Sequence, residues 1–164
     1  MTTQIKGNDT STFGGNIDVT GNVVTDAPAF SAYMSAAQNI SNTTWTKLQY
    51  DAEEFDLTSD YDTSAIRFIP SVEGYYQINA AVYLGNQNNA RVIRLYKNGS
   101  PVKRGGTRVA VSGSGSSSEI STLVYANGTT DYFEIYLYQT SGITITNNAG
   151  SELTYFQAFL ARAV

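Results

Sequence analysis

The feature that most constrains this chain is a set of period-2 hydrophobic runs punctuated by tight-turn dipeptides. In Gly74–Leu84, Tyr76, Ile78, Ala80, Val82 and Leu84 share one face, and Gln77 and Asn79 lie on the other. Successive side chains of a strand point to opposite faces, so this alternation predicts a half-buried strand. Arg91–Lys97 sets Ile93 and Leu95 opposite Arg94, Asp131–Gln139 sets Phe133, Ile135 and Leu137 opposite Glu134, and Leu153–Arg162 aligns Phe156, Ala158 and Leu160. Asn98-Gly99 and Asn127-Gly128 fall between such runs, and Asn-Gly tolerates the positive φ angles of a hairpin turn. Both are therefore expected to join neighbouring antiparallel strands. Many short strands with no long helix predict an all-β sandwich or barrel. Phe30, Tyr33, Met34 and Ala37 alone fall at helical spacing, while Ser112–Ser118 reads as a flexible connection.

With 164 residues the chain has room for one domain, and it needs no covalent staples. It contains no Cys and no His, which removes disulfides, thiolate nucleophiles, Cys-based zinc sites and the commonest general base. Asp131, Glu134 and Glu152 are the carboxylates that could form a glycosidase pair, but nothing in their spacing sets them apart from solvated strand residues. No catalytic residue is assigned, and the expectation is a protein that is not an enzyme. The net charge of −4 argues against a nucleic-acid partner, and no apolar run reaches transmembrane length, so no membrane insertion is expected. The first residues carry no apolar core of the secretory type, and the missing Cys fits assembly in a reducing cytoplasm.

Two charge clusters stand out. Asp51, Glu53, Glu54, Asp56, Asp60 and Asp62 gather six of the fourteen carboxylates. They read as a solvated loop or strand edge, with calcium as the minority reading; no other metal and no cofactor is implied. Arg91, Arg94, Lys97, Lys103, Arg104 and Arg108 gather six of the ten basic residues. They read as ordinary surface charge on a hairpin, and otherwise as a face complementary to an acidic neighbour such as the 51–62 run of another copy. Tyr132, Tyr136 and Tyr138 lie opposite Phe133, Ile135 and Leu137, which makes them candidates for an outer binding surface.

From Tyr50 the order Tyr50, Asp56, Tyr61, Phe68, Gly74, Tyr76 resembles the signature of the C1q-like globular domain. Pro28–Tyr33 resembles the family's first strand and Tyr155–Leu160 its last, whereas Tyr50, Ile78, Ala80 and Ala158 depart from the family pattern. The resemblance covers residues 28–164. It implies a ten-stranded jelly roll of the tumour necrosis factor type, a homotrimer, and a binding or structural role without catalysis. By matched position it places Tyr76 and Phe156 at the trimer axis, and it implies strand rather than helix at 30–37. No calcium ligands of the family carry over.

Residues 1–27 differ in texture, being rich in Thr, Gly, Asn and Asp with sparse apolar anchors at Phe13, Ile17, Val19 and Val23. The stretch Gly7–Val23 is similar to short repeats in head-fibre, tail-fibre and related virion proteins of tailed bacteriophages. Such a segment cannot bury a core alone but can add a strand to another subunit, and extended it would reach roughly 90 Å. The expectation is an anchoring arm on a jelly-roll domain. The chain would then be a capsid decoration or cement protein, bound to the major capsid protein or another virion subunit. It would sit on the capsid surface of a virion assembled in the host cytoplasm. The alternative is the receptor-binding tip, or adhesin, of a head or tail fibre.

Overall fold

The computed structural model describes residues 26–85, 90–109, 113 and 115–164. The arm residues Phe13, Ile17, Val19 and Val23 lie outside the described residues.

Two antiparallel sheets face each other, and no helix occurs among the described residues. One sheet has the order β10-β7-β13-β1-β4, formed by β1 (Ala29–Tyr33), β4 (Ala52–Asp56), β7 (Glu73–Leu84), β10 (Ser116–Asn127) and β13 (Tyr155–Ala163). The other follows β5-β6-β11-β8-β9, formed by β5 (Tyr61–Asp62), β6 (Arg67–Phe68), β8 (Ala90–Lys97), β9 (Ser100–Val109) and β11 (Phe133–Gln139). The short β3 (Thr46–Lys47) pairs with β11 off this path, making a sixth strand, while β2 (Asn39–Ile40) and β12 (Ile145–Thr146) pair separately. Ten strands thus lie on the two main paths, as a ten-stranded jelly roll requires.

The alternation read from the sequence is the packing. Tyr76, Ile78, Ala80, Val82 and Leu84 of β7 point inward with Phe156 and Ala158 of β13, against Ile93, Leu95, Phe133, Ile135 and Leu137 of the opposite sheet. The resemblance residues meet here as one aromatic cluster. Phe30 lies 4.7 Å from the ring centres of both Tyr61 and Phe68 and 5.0 Å from Phe156, and Phe68 contacts Tyr76 at 5.4 Å. Each buried tyrosine hydroxyl in the core finds an acceptor, as the low-dielectric interior demands. Tyr50 donates to the Ala81 carbonyl, Tyr61 to the Tyr50 carbonyl at 2.7 Å, and Tyr76 to the Val72 carbonyl at 2.7 Å. Burial disfavours the phenolate, so the Tyr76 pKa is pushed up to about 12.

Ala29–Tyr33 is a strand, and only Met34, just beyond it, continues into the core; the helical spacing of 30–37 is incidental. Asn98 and Gly99 have φ of 52° and 75° and turn β8 directly into β9, as expected. The second Asn-Gly expectation is corrected. β10 pairs with β7 and β11 with β8, so Asn127-Gly128 carries the chain from one sheet to the other and is not a hairpin. The Asn127 side-chain oxygen accepts the N–H groups of Thr129, Thr130 and Asp131, which caps this crossover as an Asx turn. Ser116–Ser118, read as loop, pair with Leu84–Val82 as the start of β10; Ser118 is fully buried.

Candidate binding surfaces

Tyr76 and Phe156 do not lie on a surface. Their side chains are 0% and 1% exposed within the protomer, so both belong to its core. The family signature marks the aromatic core, and along a strand the outward position is the next residue. The outer face of the five-stranded sheet there carries Tyr75, Leu123, Tyr125 and Phe159, which are 42%, 51%, 39% and 48% exposed. The register brings them together. Tyr125 sits opposite Tyr75, with ring centres 5.7 Å apart, while Leu123 and Phe159 flank Gln77 from either side. Large apolar side chains grouped on one exposed sheet face mark an interaction surface more strongly than the same residues scattered singly.

The opposite side of the molecule carries a different surface. Tyr132, Tyr136 and Tyr138 do alternate with buried Phe133, Ile135 and Leu137, and stand half-buried on the outer face of the six-stranded sheet. Cross-strand pairing extends this face, because Tyr136 sits beside Lys47 and Arg94, and Arg94 beside Arg104. Trp45, just before β3, lies 5.3 Å from Tyr138 and 6.5 Å from Tyr96, and Tyr96 lies 4.1 Å from Tyr136. The Arg94 guanidinium stacks 4.2 Å over the Trp45 ring, and that of Arg67 lies 5.1 Å from Tyr132. Trp45, Val92, Arg94, Arg104 and Tyr138 line a depression of about 350 Å³. Sequence reasoning found the tyrosines of this face but not Trp45, because only the pairing of β3 with β11 places it there.

The basic run divides. Arg91 is buried, and its guanidinium donates to the carbonyls of Leu84, Gly85 and Ser116, tying the β7 and β10 ends to β8. Lys97 pairs with Asp131 at 2.7 Å, whereas Arg94, Lys103 and Arg104 border the outer face.

The acidic run is dispersed among separate hydrogen-bonding tasks. Asp51 accepts from Ser35, Glu54 from Ser31, Asp56 from the Tyr61 N–H, Asp60 from Ser71, and Asp62 from Ser64 and Ala65. No group of three metal-ligating side chains forms among the described residues.

Two of the three carboxylates considered for catalysis are engaged by other groups. Glu134 pairs with Lys47 and accepts from Tyr136, and Glu152 is exposed. Burial alone would raise the Asp131 pKa, but Lys97, Asn98 and the Asn127 N–H outweigh it and hold the carboxyl below its usual range. A depressed folded-state pKa contributes stability that is present above the unfolded pKa, about 3.9, and is lost as pH falls through the folded value. Urea midpoints measured from pH 5 down to 2.5 should therefore fall more steeply for the native protein than for Asp131→Asn. Parallel curves would show that Asp131 contributes nothing to acid sensitivity.

No protein-family model and no curated sequence matches this chain. Solved structures do match. The globular domain of zebrafish complement 1qA is 12% identical, with a TM-score of 0.60 over 84% of this chain and 99% of that one. Murine APRIL at pH 5.0 is 9% identical, with a TM-score of 0.62 over 82% of this chain and 98% of that one. The PRD1 vertex protein P5 is 16% identical, with a TM-score of 0.60 over 82% of this chain and 97% of that one. At these identities the likeness is one of architecture, and it agrees with the sheet order and the aromatic core: the chain has the C1q/TNF-like jelly-roll fold.

Proposed function

We propose that three copies of this chain associate through the outer face of the five-stranded sheet to form a structural subunit of a tailed-phage capsid. In this reading the trimer decorates or cements the shell. The observation that carries it is the grouped exposure of Tyr75, Leu123, Tyr125 and Phe159 on a sheet whose inner face is already fully used. Proteins of this fold typically trimerise, and one structural neighbour is a viral vertex protein. A trimer presents three copies of residues 1–27, so a weak contact by each arm is multiplied through avidity. Trimers also suit the threefold positions of a shell.

Sedimentation and native mass measurement test the assembly. The native chain should be trimeric at micromolar concentration. Leu123→Asp with Phe159→Asp should yield a monomer that keeps its β-sheet circular dichroism, because a charge buried at an interface without a partner is strongly unfavourable. A native monomer would overturn the assembly. Gold-labelled antibody on intact phage particles, purified from cells that make this chain, tests its place. Label spread over the head supports decoration, whereas no label overturns the virion reading. Label confined to a fibre end would favour the adhesin reading, for which the aromatic and basic outer face of the other sheet speaks.

A further inference from the structure

We propose that the depression lined by Trp45, Val92, Arg94, Arg104 and Tyr138 is a binding site for a carboxylate-bearing sugar. Its location on the six-stranded sheet makes it independent of the assembly face on the opposite sheet.

Two properties of the depression combine. Its floor is aromatic and aliphatic, formed by the Trp45 and Tyr138 rings, 5.3 Å apart, and Val92. Such a floor accepts the apolar C–H face of a sugar ring. Its rim carries the guanidiniums of Arg94 and Arg104, neither of which has a carboxylate partner among the described residues. The Arg94 guanidinium carbon lies 4.2 Å from the centre of the indole, a cation–π contact that restrains its otherwise mobile side chain and occupies one face of that ring, leaving the other face to the ligand; Arg104 spends one nitrogen on Thr107 at 2.7 Å. Planar guanidiniums present paired N–H donors that match a carboxylate bidentately, and a restrained one loses less entropy on binding. A chain of net charge −4 that leaves cations unneutralised beside an aromatic floor is complementary to an anion with an apolar face.

A volume of about 350 Å³ is at the small end of the range for ligand sites, which fits a sugar residue better than a large cofactor. An extended nucleic acid fits less well. It needs a track of basic contacts, but Lys47 and Lys97 are already paired with Glu134 and Asp131.

Trp45 is the only tryptophan in the chain, so intrinsic fluorescence reports on this floor directly. The full-length protein would be titrated with sialyllactose and with a hexuronate oligosaccharide, using lactose and a neutral oligosaccharide as matched controls. At least one of the acidic sugars should give a saturable change in Trp45 emission that its neutral counterpart does not. Arg104→Gln should weaken that binding about tenfold or more, the scale of one lost charge-assisted hydrogen bond. Arg94→Lys should weaken it as well, since an ammonium keeps the charge but not the planar fork. Circular dichroism of both variants should match the native protein. The proposal is overturned by any of three results: no saturable response to either acidic sugar, equal response to the neutral controls, or unchanged affinity in both variants. A response confined to inorganic phosphate or to an oligonucleotide would overturn it too.

Discussion

Phe30→Ala is expected to lower the unfolding free energy by about 3–5 kcal/mol, the range for truncating a fully buried phenylalanine. Phe30 is 1% exposed and its ring contacts Tyr61, Phe68 and Phe156, so it joins β1 and β13 of one sheet to β5 and β6 of the other. Its removal leaves a cavity among rings that cannot all move inward, because the Tyr61 hydroxyl is held by the Tyr50 carbonyl. The loss includes aromatic contacts of roughly 0.5–1.5 kcal/mol each beyond simple area burial. Urea denaturation of the native and variant proteins measures it. A loss below about 1 kcal/mol would mean that this cluster is not the centre of the core.

Gly128→Val is the second large effect, with an expected cost of about 2–5 kcal/mol from backbone strain and steric overlap together. Gly128 has φ of 70°, a region that a β-branched residue enters only with strain. A Cβ there would also collide with the backbone of Val72 and Glu73, which cannot swing aside as a flexible side chain would. The crossover it interrupts holds Asn127 against Asp131, and through Asp131 the ion pair to Lys97 and the bond from Asn98. The damage should therefore reach the β8–β9 turn. Amide hydrogen exchange should show lost protection at Asn98 and Tyr132 as well as at residue 128. Gly128→Ala should be milder, since it keeps the overlap but avoids β-branching.

These two positions show where a sequence is informative and where it is not. Phe30 belonged to the stretch Pro28–Tyr33 that resembles the first strand of the C1q-like domain, and that resemblance, with the ordered residues from Tyr50 to Tyr76, implied the jelly roll. It was not sufficient to separate core from interface. Tyr76 and Phe156 are as apolar as any interface residue, and only the packed sandwich shows that they point inward while Tyr75 and Phe159 point out. The Asn-Gly pairs make the same point. Both dipeptides supply the positive φ a turn needs, but a turn does not say which strands it joins. Asn98-Gly99 closes a hairpin, whereas Asn127-Gly128 crosses between sheets, because β10 finds β7 and β11 finds β8 as neighbours.

The sequence by itself determined the class of the fold, since period-2 alternation dictates strands with one buried face, and the alternating residues are the core. It also determined what chemistry was absent, because side chains that a chain does not contain cannot act. Only the tertiary structure decided how the charges and outward aromatics are used. The carboxylates of 51–62 are close in sequence, but five of the six accept hydrogen bonds from separate partners. Trp45, Arg94, Arg104 and Tyr138 are distant in sequence but converge on one depression. The reason is physical: burial periodicity is a local property that neighbouring residues carry, whereas a surface site is set by strand order and register, which long-range pairing alone fixes.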